Sequence, residues 1–329
     1  MGRNFFLTVL IVLGIAVLIV LFKVAVGRKL PFIQNYEIQE YATDQPFLEP
    51  HSILDGLAVY SRGEGEVVLL FPYPHAANNQ PMVQSPLADI LIGMGRTVVT
   101  FDLPGAYRST RTPVGDIQEI ISTADEALER LNIEGPVDVV GHSMGGLSAL
   151  AYAVERPQRV KKLVLVGGMS GFPAVLQHGM PKSVWRISQI EYWRFITLGL
   201  RVKTGWGNLA LHKELVNIMT EASFHDQEKY SPLKIDPDDL QKGIPLREIL
   251  WGKNMYRKLT YAARLDTIRA KTLVMVGKFD TEAPLPCSEE LSTGISNSEL
   301  IIFEGSGHYP YLEEPVKFVN VLKAFLHES

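Results

Sequence analysis

Val137-Asp138-Val139-Val140-Gly141-His142-Ser143-Met144-Gly145-Gly146 decides how this chain is read. A β-branched run ends in Gly-His-Ser-Met-Gly, and helix formers follow at once in Leu147, Ala149, Leu150, Ala151 and Ala153. The pattern is strand, sharp turn, helix. Ser143 falls on the turn, where a strained backbone pushes a hydroxyl out of a sheet, and Gly141 and Gly145 leave room for close backbone approach. This is the arrangement of a nucleophile elbow.

Outward from it, strand and helix signals alternate. Residues 57–60 and 67–71 read as strands joined by the turn-rich Ser61-Arg62-Gly63-Glu64-Gly65, which predicts a hairpin. A helix follows around residues 86–94, a strand over 97–101, a helix over 117–131 and, beyond the elbow, a strand over 160–166. Strand signals return at residues 272–276 and 300–303, and a last helix covers 316–326. Alternation of this kind predicts a mostly parallel sheet with helices on both faces.

Residues 168–265 interrupt the pattern with helical segments broken by Pro173, Pro181, Gly205, Pro232, Pro237 and Pro245. They are expected to form a helical cap inserted in one core domain, residues 51–167 and 266–329. All four tryptophans, Trp185, Trp193, Trp206 and Trp251, lie in the insertion, as core of the small domain or as lining of an apolar pocket.

The amino-terminal part is different. Residues 5–22 are apolar except for Thr8 and Gly14 and carry no charge, long enough for a helix to span a bilayer core. The expectation is a membrane anchor over residues 1–29, a proline-punctuated spacer over 30–50, and a catalytic domain on the extracytoplasmic side. A formal net charge of −4 over 329 residues excludes a basic nucleic-acid footprint. One cysteine, Cys287, excludes an intramolecular disulfide and a cysteine-rich metal site. His178, His212 and His225 have no ligand-like partners in the sequence, so neither a metal nor a cofactor is expected.

A serine hydroxyl needs a base to take its proton, and the base works best when a carboxylate fixes its tautomer. Asp280 follows the apolar run Lys271-Thr272-Leu273-Val274-Met275-Val276-Gly277, and His308 ends Glu304-Gly305-Ser306-Gly307-His308 after another strand. Both would emerge on the edge where Ser143 does. Asp280 is the candidate orienting acid and His308 the candidate base.

The order Ser143, Asp280, His308, with the three motifs around them, resembles the α/β-hydrolase family over roughly residues 51–326. Asp102-Leu103-Pro104-Gly105, followed by Ser109, is similar to a loop of the family's proline iminopeptidase, epoxide hydrolase and esterase branches. The resemblance implies an eight-stranded core with the cap between strands six and seven. It also implies an oxyanion hole. One donor would be the backbone N–H of Met144; the other would come from the loop at Phe71-Pro72-Tyr73-Pro74, where Pro72 has no N–H and Tyr73 is the donor.

Serine at the elbow, in place of the aspartate of epoxide hydrolases and dehalogenases, implies cleavage through an acyl-enzyme, with an apolar carboxylic ester as the expected substrate. A proline iminopeptidase-like amide substrate is the alternative, and would need an acidic group such as Glu191, Glu214 or Glu221 for the substrate's amine. A non-catalytic ligand-binding module on the same fold is the third reading. His142 reads as a packing residue of the elbow, and His75 as structural or solvent-facing.

Overall fold

The computed structural model describes residues 14, 16–17, 49–73, 82–105, 108–112, 114–179, 200–201, 220–229 and 258–327. The chain divides into two compact units, Met1–Glu40 with Val184–Met219, and Tyr41–Ser183 with Thr220–Ser329. The second unit carries the sheet.

Eight strands form one sheet: β1 (Ser52–Leu54), β2 (Leu57–Arg62), β3 (Glu66–Leu70), β4 (Arg96–Phe101), β5 (Val137–His142), β6 (Val160–Val166), β7 (Lys271–Gly277) and β8 (Ser298–Phe303). Their spatial order is β1-β2-β4-β3-β5-β6-β7-β8, and every pair from β4 to β8 is parallel. Alternate side chains supply two separate cores, as a sheet covered on both faces requires. Leu69, Phe71, Val99, Val139 and Leu165 face α2 (Ile117–Arg130), α3 (Met144–Glu155) and α5 (Leu285–Gly294). Val68, Leu70, Val98, Val140 and Val164 face α1 (Pro86–Gly93) and α7 (Pro315–His327). Between these elements lie α4 (Phe172–Gly179) and the short α6 (Pro310–Glu313).

The hairpin expected between β2 and β3 does not form. β4 lies between them, antiparallel to β2 and parallel to β3. Two consecutive β-branched runs with a glycine-rich turn look alike whether they pair or part, since pairing is settled by strands far away in sequence. The actual hairpin is β1 with β2, turned by Asp55 and Gly56, whose φ values of 48° and 74° are those of a two-residue primed turn.

Of the apolar stretch 5–22, only Gly14, Ala16 and Val17 are among the described residues, and all three are helical. Among the described residues no helix is long and apolar enough to cross a membrane. The longest, α2, has 14 residues and reaches about 21 Å, against a hydrocarbon core of about 30 Å. On that finding the expectation of a membrane-anchored, extracytoplasmic domain is overturned. The remainder of residues 1–29, the spacer apart from residues 49–50, His75, the four tryptophans, Glu191, Glu214 and His212 lie outside the described residues.

Candidate active site

Because β3 and β5 to β8 are parallel, the loops leaving their carboxyl ends gather on one edge. Ser143 sits there at φ 54° and ψ −122°, a strained conformation for a residue with a Cβ that typically costs about 1–3 kcal/mol. The sheet holds it in place: Ser143 N–H donates to the Val166 carbonyl at 2.9 Å, and its own carbonyl accepts the first helical bond from Leu147 at 3.1 Å. Its side chain makes no capping hydrogen bond to α3, although it occupies the cap position. The two glycines of the elbow are sterically required. A Cβ on Gly141 would stand 2.4 Å from the Gly145 carbonyl oxygen, and one on Gly145 would stand 2.8 Å from that of Phe71.

Asp280 and His308 meet. His308 Nδ1–H donates to Asp280 Oδ2 at 2.8 Å, and both side chains are almost wholly buried. The other carboxylate oxygen, Oδ1, accepts the backbone N–H groups of Glu282 at 2.8 Å and Ala283 at 2.9 Å, so Asp280 is fixed in orientation. With Nδ1 committed as donor, Nε2 is the nitrogen left to accept a proton. Burial of the ring disfavours its charged form, but the charge and hydrogen bond of Asp280 outweigh it and hold the His308 pKa above its ordinary value, with smaller help from Glu282 and Glu313.

Ser143 and this pair converge on the end of β6. Gly167 directly follows the Val166 carbonyl that holds Ser143, and a Cβ on Gly167 would lie 3.1 Å from both Asp280 Oδ2 and the His308 ring. The elbow is joined to His308 a second time through His142, whose Nε2 lies 2.8 Å from the His308 carbonyl oxygen and therefore carries the hydrogen. His142 Nδ1 is then an acceptor. It receives the Tyr73 hydroxyl, with the Tyr311 hydroxyl at 3.4 Å. His142 is 1% exposed, with the rings of Tyr309 and Tyr311 each at 5.3 Å. This is a tightly partnered side chain, and it contributes hydrogen bonds as well as packing.

Tyr73 thus stands beside the elbow through its side chain, while the backbone of Phe71 and Pro72 runs against Gly145. Met144 begins α3, where the first N–H groups of a helix lack intrahelical acceptors. Asp102 has a supporting role: its carboxylate accepts the Tyr60 hydroxyl at 2.7 Å and Arg108 N–H at 3.1 Å, and its carbonyl accepts the Ser109 hydroxyl at 2.7 Å. Burial pushes the Cys287 thiol up to about 12, which keeps it protonated at neutral pH.

Three groups around His308 were not singled out from the sequence. Glu313, 1% exposed, accepts three backbone N–H groups; Glu314 accepts Gly305 N–H at 2.9 Å and the Ser306 hydroxyl at 2.6 Å; Ser223 receives His308 N–H on its carbonyl at 2.8 Å. The only signal for the glutamates was acidity soon after a glycine-rich loop, which a solvated helix end shows equally well.

The family profile of the alpha/beta hydrolase fold matches residues 67–315, and the chain belongs to that family. A 2-hydroxy-6-oxononadienedioate/2-hydroxy-6-oxononatrienedioate hydrolase of Cupriavidus pinatubonensis is 31% identical over 245 residues, 72% of this chain and 78% of the relative. Among solved structures, an alpha/beta fold family hydrolase of Bacillus anthracis shares 20% identity at a TM-score of 0.65, covering 82% of this chain and 94% of the other. A meta-cleavage product hydrolase of Pseudomonas fluorescens shares 17% at a TM-score of 0.61, covering 82% and 93%.

Proposed function

We propose that this chain is a serine hydrolase acting through an acyl-enzyme on Ser143, and that its substrates are 2-hydroxy-6-oxo-dienoates, cleaved at a carbon–carbon bond beside the ketone. The observation that carries the hydrolase reading is the buried Asp280–His308 pair packed against Gly167, next to the residue that holds Ser143. In this reading His308 Nε2 takes the Ser143 proton as Oγ attacks the carbonyl. The oxyanion is received by the backbone N–H groups of Tyr73 and Met144. Collapse expels the leaving group, protonated by the His308 imidazolium, and water attacks the acyl-enzyme by the same base catalysis. Carbon leaves readily only as a stabilised enolate, so in this reading the dienol first ketonises, its C2 hydroxyl giving up a proton as C5 takes one; cleavage of C5–C6 then expels a dienolate delocalised onto the C2 oxygen, which the imidazolium protonates. Support for this substrate class comes from the 31% identical relative. Residues 168–265, which follow β6 and precede β7 in sequence, are proposed as the inserted segment, and most of them lie outside the described residues.

An apolar ester undergoes the same chemistry without the carbon leaving group. Phe224 and Tyr309, stacked at 4.8 Å with Tyr309 beside the His308 ring, favour an apolar group at this edge and keep the ester as the second reading. The test offers the full chain a 2-hydroxy-6-oxo-dienoate, p-nitrophenyl esters of increasing length and a prolyl-naphthylamide. Loss of the dienoate chromophore with the highest kcat/KM supports the proposal. Preference for esters moves the assignment to a carboxylesterase, and preference for the amide to an aminopeptidase. No turnover of any of the three leaves a binding module.

A further inference from the structure

A loop that ends in a catalytic base needs something to stop it moving, and Gly305-Ser306-Gly307-His308 holds two glycines with no side chains to pack. The restraint comes from α6. Glu313 Oε2 accepts Gly307 N–H at 2.7 Å, next to the base itself. Glu313 Oε1 accepts the N–H groups of His225 at 2.7 Å and Asp226 at 3.0 Å, in the segment 220–229. That segment returns the contact, because the Ser223 carbonyl accepts His308 N–H at 2.8 Å. A Cβ on Gly307 would stand 2.3 Å from the same Ser223 carbonyl oxygen, so the fit is close as well as bonded. Lys229 Nζ donates to the Glu313 carbonyl at 2.5 Å.

We infer that Glu313 is a positioning residue for the reaction: one buried carboxylate gathers Gly307, His225 and Asp226 and so sets where His308 stands relative to Ser143. The inference rests on the serine-hydrolase reading above. The side chain must be a carboxylate, since all three partners are donors and only an acceptor-only group satisfies them together. Glutamine would turn an NH₂ towards an N–H on one side or the other. Aspartate keeps the charge but is one methylene too short to reach both segments.

Among the described residues, the charged and titratable groups around the His308 ring are Asp280 at Nδ1, Glu282 two residues further on and bonded to the Ser223 hydroxyl at 3.0 Å, Glu313 on α6, the His142 ring at 4.6 Å and the Tyr309 ring at 5.2 Å. Glu313 adds negative charge there besides holding the loop.

The experiment compares full-length wild type, Glu313→Gln and Glu313→Asp by two readouts: the rate of reaction with a fluorophosphonate, and the His308 titration midpoint followed by NMR of the imidazole. A displacement of the base of order 1 Å costs up to about a hundredfold, so Glu313→Gln is expected to react about 10- to 100-fold more slowly. Its midpoint falls to lower pH, because a negative neighbour is lost. Glu313→Asp is expected to be slowed while its midpoint stays near wild type. Equal rates in wild type and Glu313→Gln overturn the inference, as does a slowed Glu313→Gln with an unmoved midpoint, which marks a purely structural residue. If Glu313→Gln does not fold, Glu313→Asp decides, and an unchanged rate overturns the inference. A folded wild type that never reacts refutes the hydrolase reading instead, and the NMR midpoints then judge Glu313 alone.

Discussion

Asp280→Asn changes one atom at the centre of the site, and the structure determines which way the new amide must face. Oδ1 accepts two backbone N–H groups, from Glu282 and Ala283, so the asparagine oxygen keeps that position and its NH₂ replaces Oδ2. The NH₂ then points at His308 Nδ1, 2.8 Å away. A donor there forces the imidazole into the tautomer with hydrogen on Nε2, which cannot take the Ser143 proton. Restoring the active tautomer means turning the amide over and leaving two buried N–H groups without acceptors, at about 1–3 kcal/mol each. Asp280→Asn is therefore expected to lower kcat by about 10²–10⁴. KM should hardly move, because Asp280 lies behind the base. The assay is steady-state turnover of the best substrate with the fluorophosphonate rate in parallel, and ¹⁵N NMR of the His308 ring to read the tautomer. A variant keeping more than a tenth of wild-type kcat, or the Nδ1–H tautomer in the NMR, refutes the reasoning.

The raised pKa of His308 gives a second expectation: the acid limb of kcat/KM lies above the ordinary histidine value of about 6.5, and Asp280→Asn moves it down, as a pH–rate profile would show. In the resting protein the same shift makes the charged ring stabilising below the unfolded value of about 6.5, a contribution lost as pH rises through the folded midpoint, which denaturation at a series of pH values measures. At the opposite edge of the sheet, Arg96, 2% exposed, donates to Asp138 Oδ2 at 3.2 Å and to the Leu326 carbonyl at 2.7 Å and pairs with Glu66. Among the described residues Asp138 Oδ1 has no hydrogen-bond partner, and burial already raises the Asp138 pKa, so Arg96→Met should cost about 3–5 kcal/mol in urea unfolding, with much of the loss recovered by adding Asp138→Leu. An Arg96→Met variant as stable as wild type would show that the pair is not a buried charge in need of its partner.

Much of the parallel core was legible because its strands are continuous apolar runs and its helices begin where the strands end. The elbow was legible because Gly141, Ser143 and Gly145 answer to a steric demand only a few residues long. Asp280 and His308 could be named because each follows such a run, and the structure brings them to 2.8 Å. What local pattern could not supply was partnership across the sheet: β4 enters between β2 and β3, and nothing in residues 57–71 says so. The same holds for the residues behind the base. Glu313 carries the chemistry of a surface acid in the sequence and becomes a buried acceptor only because residues 225, 226 and 307, up to 88 positions away, present N–H groups to it. Tyr73 entered as a backbone donor, while the structure shows what its hydroxyl does: it bonds His142 Nδ1.

If Ser143 is the nucleophile and His308 its base, a fluorophosphonate must mark the serine and depend on the histidine, which peptide mass spectrometry of the full-length protein, alongside Ser143→Ala and His308→Gln, shows. The expected result is one phosphonyl group, on the peptide containing Ser143, absent from Ser143→Ala and formed at least about a hundredfold more slowly in His308→Gln. A folded protein that forms no adduct, or carries it on another residue, means that Ser143 is not the nucleophile.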